Sequence, residues 1–276
     1  MLNLSQSAVS HRLKKLEDEI GIILINRKKG QKGIFLTSTG QEFIAIAERW
    51  MALSEDTNNI RYTNKPLLLT IGSLESLHSY IFSDFYRKVC TELPQICLNI
   101  QTAHSLEIYE LVEKRDVDIG FVLREARYTN VIVEPFFCED LVVIRQASEK
   151  VINKTLHSCE LDSRNEIAIN WGPNFQVWHE KWWDRNIHPS AKIDTISLLL
   201  PLLFDPKHWA IVPISIAKSL CAVRPYEILN ISDPPPKREC YILTHRNPKP
   251  STSQALQSIS TYLNEIRSIF QFPELY

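Results

Sequence analysis

The chain has 276 residues, 44% of them hydrophobic, which suffices for a sizeable core in one large domain or in two to three smaller ones. Its net charge of −1 and pI of about 6.7 exclude a polycation that coats nucleic acid with its whole surface. There is no charged-then-apolar leader and no run of roughly 18 apolar residues, so neither export nor a membrane span is expected. Six scattered cysteines (Cys90, Cys97, Cys138, Cys159, Cys221 and Cys240) form no CxxC pair, and the simplest reading is a cytoplasmic protein with reduced thiols.

Charge is not evenly spread. Residues 1–33 carry seven Lys or Arg against three Asp or Glu, so a basic module is expected on a near-neutral chain. The segment LNLSQSAVSHRLKKLEDEIG predicts a helix capped by Ser5, with one buried stripe of Val9, Leu13, Leu16 and Ile20 and with Gly21 just past its end. His11, Arg12, Lys14 and Lys15 fall off that stripe. IILINRKKGQKGIFLT places two apolar runs around a basic, glycine-containing turn, which predicts a β-hairpin with a charged tip. Ser38 and Thr39, each followed three residues later by Gln41 or Glu42, form two overlapping capping boxes. They open a long helix carrying Phe43, Ile44, Ala47, Trp50 and Met51, which fades into the polar stretch 55–65 before Pro66.

From about residue 67 strands and helices alternate. The strands are LLLTIG, ICLNIQT, VDIGFVL, VIVEPFF, DLVVIRQ, EIAINW, KIDTIS, WAIVP, YEILNI and CYILTHR. A helix face of Leu77, Ile81, Phe85 and Val89 stops before Pro94, and further helices follow at SLEIYELVEKR, around Trp178 and Trp182, at SLLLPLLF, at ISIAKSL and near 251–270. This order argues α/β with mainly parallel pairing, in two small lobes rather than one sheet. Ligands of such folds sit at the carboxyl ends of strands.

These residues and their order resemble the LysR-type transcriptional regulators. Leu4-Ser5-Gln6-Ser7-Ala8-Val9-Ser10, Leu16-Glu17 and Ile20-Gly21 match that family's recognition helix; Leu24, Arg27, Leu36-Thr37 and Gly40 match its wing and the start of its linker helix. Ile71-Gly72-Ser73, Pro94, Val117-Asp118-Ile119-Gly120 and Ala210-Ile211-Val212-Pro213 are similar to its effector domain. The resemblance implies a mixed fold: a partial winged helix-turn-helix at 1–37, a linker and dimerisation helix at 38–65, and a two-lobed α/β effector domain at 66–276 resembling type 2 periplasmic binding proteins. Lobe I is expected at about 66–146 and 238–276, lobe II at about 147–237. The family's first helix and most of its second would precede SQSAVS, so the Val9–Leu13–Leu16 stripe is expected to lack cover, at roughly 1.5–3 kcal/mol for each exposed apolar side chain.

The resemblance implies double-stranded promoter DNA, a small-molecule effector and a homodimer or homotetramer as partners, no cofactor and no enzymatic activity. Short hydroxyl and amide side chains at a helix start suit mixed base edges, so Ser5, Gln6, Ser7, Ser10, His11 and Arg12 are assigned to DNA. Arg27, Lys28, Lys29 and Lys32 at the hairpin tip suit phosphate, with a solvated turn as the alternative. Helix starts and strand ends place Ser73, Glu75, Ser76, Thr102, His104, Ser105, Val122, Arg124, Trp171, Gly172, Pro173, Ser197 and Pro213 at the effector cleft. Arg124 could pair a carboxylate. Asp205-Pro206-Lys207-His208-Trp209 stands where the family usually has glycines, so bulk is expected to fill or reshape the cleft.

Other constellations carry less. The eight histidines never reach metal spacing, Trp178, Trp182 and Trp183 suit core or inter-subunit packing, and Cys90 and Cys97 leave a redox switch and buried thiols both open. No catalytic motif stands out. Two functions remain: an effector-responsive, DNA-binding regulator, and an effector-binding module that has lost specific DNA binding.

Overall fold

The computed structural model describes residues 6–26, 35–60, 66–146 and 152–270. Two compact units divide at residues 65 and 66.

In the first unit, α1 (Gln6–Ile20) ends at Gly21, whose φ of 70° is the left-handed conformation that only glycine adopts without strain. The chain then enters β1 (Ile25–Asn26), paired antiparallel with β2 (Phe35–Leu36). The hairpin tip at 27–34, with Arg27, Lys28, Lys29 and Lys32, lies outside the described residues, as does Ser5. Glu17 holds helix and hairpin together, its Oε1 accepting from the N–H groups of Leu24 at 2.8 Å and Ile25 at 3.0 Å. α2 (Ser38–Ile60) is capped one residue earlier than the Ser38/Thr39 pattern predicts. Thr37 Oγ1 accepts from the Gly40 N–H at 2.8 Å and donates to the Ile23 carbonyl at 2.7 Å. The same hydroxyl thus caps the helix and ties it to the hairpin, a tertiary role that spacing alone cannot express.

The second unit holds two main sheets. The first has the order β4-β3-β5-β13-β6, from β3 (Leu67–Ser73), β4 (Ile96–Thr102), β5 (Ile119–Val122), β6 (Val131–Glu139) and β13 (Arg238–His245). The second has the order β11-β7-β12-β8, from β7 (Leu141–Gln146), β8 (Ile152–Leu156), β11 (Trp209–Pro213) and β12 (Tyr226–Ile231). A parallel pair, β9 (Ile167–Ile169) and β10 (Ala191–Ile193), is bridged to β11 through Glu166 and Trp209. Pairing is mixed rather than mainly parallel: β3 runs parallel to β4 and β5, but β13 is antiparallel to β5 and β6, and β7 to β11 and β12.

The lobe division expected after residue 146 is corrected by these pairings. β7 belongs wholly to the second sheet, so the chain changes sheets at Asp140 and returns between Ile231 and Arg238. The apolar run through 131–146 hid the crossing, because both of its halves have strand character.

Helices cover both faces of each sheet. α3 (Glu75–Tyr80), α4 (Ser83–Glu92) and α9 (Pro250–Ile269) enclose Leu69, Ile71, Ile119 and Phe121 on one face of the first sheet, and α5 (Ser105–Glu113) encloses Val117, Val122 and Leu243 on the other. The single helix expected from Leu77 to Val89 breaks at Ile81–Phe82. In the second lobe α7 (Leu199–Leu202) and α8 (Ile214–Cys221) pack on one face, while α6 (Pro173–Trp182) brings Phe175 and Trp178, with Trp183 beyond its end, onto the other. Double coverage explains why β3 from Leu69 onward and all of β11 are continuously buried rather than alternating. β8 and the short 3-10 turns at Ser158–Glu160 and Ser163–Asn165 were not anticipated. Cys90 and Cys97 are exposed free thiols, so the buried reading of that pair is corrected.

Candidate functional site

Within the first unit α1 presents Ser7, Ser10, His11, Arg12, Lys14 and Lys15 on exposed positions. Val9 is 42% exposed, and Leu13, Leu16 and Ile20 are half-buried, so the stripe predicted as one buried face is only partly covered by the described residues. Lys15 pairs with Glu19 at 3.8 Å across one turn, but both are exposed and such a pair contributes little. Among the described residues the basic side chains of α1 are exposed, and α1 is fixed to the hairpin through Glu17.

The edge at which an effector is expected on the second unit follows from sheet register. Ser73 pairs with Thr102 and with Phe121, so the carboxyl ends of β3, β4 and β5 meet at one edge. α3 starts there with Glu75 and Ser76, and α5 starts there with Ser105 after His104. Thr102, His104 and Arg124 are exposed at this edge, and Glu75 is half-buried. Three residues assigned to it have other work. Ser73 Oγ is buried and donates to the Phe121 carbonyl at 3.1 Å. Ser105 Oγ accepts from the Leu123 N–H at 3.3 Å. Val122 is fully buried among Ile108, Tyr109 and Val112, so its side chain cannot face a ligand; a strand end can be core on one face and site on the other.

On the second lobe Trp171, Gly172 and Pro173 lead from β9 into α6. Gly172 has φ of 111° and its N–H donates to Asn170 Oδ1 at 2.9 Å, which turns the chain so that Pro173 opens the helix. Trp171 Nε1 donates to the Ile211 carbonyl at 2.8 Å. Ser197 is exposed on the 3-10 turn Ile196–Leu198, and Pro213 is buried in β11 opposite Leu141. The residues at 205–209 form a turn that leads into the lobe's core. Asp205 makes the bend, accepting from the N–H groups of Lys207 and His208, both at 2.9 Å, and Trp209 packs against Trp183 inside the lobe's own core.

Two residues outside the predicted set join the lobes. Arg238 Nε donates to Glu139 Oε1 at 2.9 Å, its Nη2 donates to the same oxygen, and its Nη1 donates to Ser76 Oγ at 3.3 Å. The guanidinium lies 5.5 Å from the centre of the Trp171 ring, a cation–π contact. Glu139 Oε2 accepts from the Ser215 N–H at the start of α8, at 3.1 Å. Arg238 and Glu139 are 5% and 3% exposed. Ser76 and Trp171, predicted from opposite lobes, are therefore brought to one cation. Glu139 and Arg238 each stand at a strand end, the first closing β6 and the second opening β13, but their partnership is tertiary.

Next to this edge His78 is buried on α3. Its Nε2 faces the Gln101 carbonyl at 3.0 Å and must donate, so Nδ1 accepts from Tyr86 Oη at 2.6 Å. Burial lowers the His78 pKa below the usual 6.5 and raises that of Tyr86, holding both groups neutral.

A basic helix with a hairpin, a long helix and a two-lobed α/β unit follow one another in the chain. The model of the LysR substrate binding domain matches residues 67–263, and that of the bacterial regulatory helix-turn-helix proteins of the lysR family matches residues 1–41. The chain belongs to the LysR family. It is 28% identical over 177 residues to a "Probable RuBisCO transcriptional regulator" of Phaeodactylum tricornutum, covering 62% of this chain and 57% of that one. It is 24% identical over 198 residues to the HTH-type transcriptional regulator CzcR of Bacillus subtilis, covering 70% and 65%. The chain spans between 57% and 66% of three such RuBisCO regulators. A full-length OxyR variant of Pseudomonas aeruginosa shares the fold with a TM-score of 0.61 at 19% identity, over 99% of this chain and 90% of that one. Full-length CbnR complexed with its target DNA does so with a TM-score of 0.56 at 18% identity, over 96% and 91%.

Proposed function

We propose that this chain is a LysR-type transcription regulator, not an enzyme, that binds double-stranded promoter DNA through α1 and the hairpin and answers a small-molecule effector in the cleft between its lobes. The observation that carries the reading is the order of parts: an exposed basic helix, a hairpin and a capped long helix stand ahead of a two-lobed unit, on a chain matched by both family models. Ser7, Ser10, His11 and Arg12 reach base edges and phosphates, with Ser5 and Gln6 at the helix start and Arg27, Lys28, Lys29 and Lys32 on the backbone. Thr102, His104 and Arg124 on one lobe and Trp171 on the other contact the effector, with Glu75 favouring a ligand that carries a donor. The exposed apolar side chains Ile44, Ile46, Trp50, Met51 and Leu53 on α2 suit self-association to a homodimer or homotetramer. A DNA-binding role puts the protein in the cytoplasm.

Fluorescence anisotropy with labelled promoter duplex tests this reading. Sequence-specific affinity is expected to fall with salt by a slope of about −0.9 per phosphate contact. Arg12→Ala should weaken binding and, if Arg12 holds a phosphate, reduce the slope by about 1. A second reading, an effector-binding module without specific DNA binding, is favoured by the part-exposed Val9–Leu13–Leu16 stripe. Equal affinity for promoter and scrambled duplex would establish it.

A further inference from the structure

The groups around Arg238 come from both lobes. Glu139 and Arg238 are register partners at the end of the first sheet, where β6 stops and β13 starts. From there they reach in different directions. Glu139 accepts from the Ser215 N–H of α8 in the second lobe, at 3.1 Å. Arg238 lies over Trp171 of the second lobe and donates to Ser76 of the first. Ser215 Oγ is itself buried without a hydrogen-bond partner among the described residues, so Glu139 provides α8 with a carboxylate at its positive end.

A buried ion pair adds little net stability over an apolar replacement, because the cost of desolvation offsets the attraction. What it does add is selection of one geometry, since Arg238 donates twice to Glu139 Oε1 and once to Ser76 Oγ while Glu139 Oε2 accepts from Ser215, and directional bonds to several partners hold together over a narrow range of angles. Here the geometry selected is the angle between the lobes. Both ions stand on the first sheet, so movement of the second lobe draws the Ser215 N–H away from Glu139 and the Trp171 ring away from Arg238.

We propose that Glu139 and Arg238 form a latch that fixes the two lobes against each other, and that effector-linked lobe movement passes through it. The latch itself stands on the contacts between the lobes; only its use as a relay rests on the effector-binding reading.

Amide hydrogen exchange on the full ligand-free chain tests it, comparing wild type with Glu139→Gln and with the volume-conserving double variant Glu139→Leu/Arg238→Met. Exchange over 76–80, 171–176 and 214–217 is expected to rise together by about tenfold in both variants, while β3 and α9 keep wild-type rates. A rise confined to 214–217 would make Glu139 a helix cap and nothing more, and would overturn the latch. Unchanged rates at all three segments overturn it as well. The double variant removes both charges, so its result cannot be ascribed to an unpaired buried guanidinium. Failure of the effector reading would appear separately, as no ligand binding in a calorimetric screen of small metabolites, and would leave these rates untouched.

Discussion

His78 illustrates how burial sets a charge state at the scale of one residue. Its pKa is lowered in the folded chain, so the unfolded chain binds more protons as pH falls below about 6.5. Its contribution to stability is therefore present above the unfolded pKa and is lost as pH falls toward the lowered folded value. Denaturant unfolding between about pH 7 and about pH 5 should show a larger loss for wild type than for His78→Gln. Equal losses would assign the dependence to other groups. Gly120 is a steric counterpart. A Cβ there would stand 2.7 Å from Ile108 Cγ2 and 3.2 Å from Leu243 Cβ, inside the packed face that α5 covers. Gly120→Ala should cost about 1–3 kcal/mol in urea unfolding, because the surrounding core is fully buried and has no room to yield.

At the scale of elements, indole N–H groups fasten the second lobe. Trp183 donates to the Leu161 carbonyl at 3.1 Å, Trp178 to Asp233 at 3.0 Å and Trp209 to Asp162 at 3.0 Å. Each ring fills core while its single polar atom satisfies a backbone group in a loop that has no ladder of its own. The buried Glu166 carboxylate accepts from His179 Nε2 at 2.9 Å and holds α6 to the same sheet. Trp183→Phe keeps most of the apolar volume but strands the Leu161 carbonyl. It should lower the stability of the second unit by about 1–3 kcal/mol, read as a reduced urea midpoint with little change in far-ultraviolet circular dichroism.

For the whole molecule the question is what the exposed apolar side of α2 meets. Trp50 is 73% exposed and Met51 68%. If that surface mediates self-association, the double variant Trp50→Glu/Met51→Glu should sediment at a lower mass than wild type, with the second unit still folded by circular dichroism. An unchanged mass would move the interface elsewhere.

Much of this was legible in the residues. Ser-Gln-Ser-Ala-Val-Ser, the basic turn and the periodic apolar runs are local signals, and helix, hairpin and most strands followed from them because backbone propensity and one-sided burial act over a few residues. Strand ends and helix starts likewise single out Ser76 and Trp171, which both lie against Arg238. Partnership across the chain was not legible. That Leu141–Gln146 pairs in the second sheet, that Val122 turns into the core and that Thr37 rather than Ser38 caps α2 all depend on what lies opposite each residue. Glu139 and Arg238 are 99 residues apart, and nothing local marks them as a pair. The sequence by itself determined the family, most of the elements and the basic face of α1. Only the tertiary structure decided which residues join the lobes, because a buried charge is tolerable solely where the fold brings its counter-ion to it.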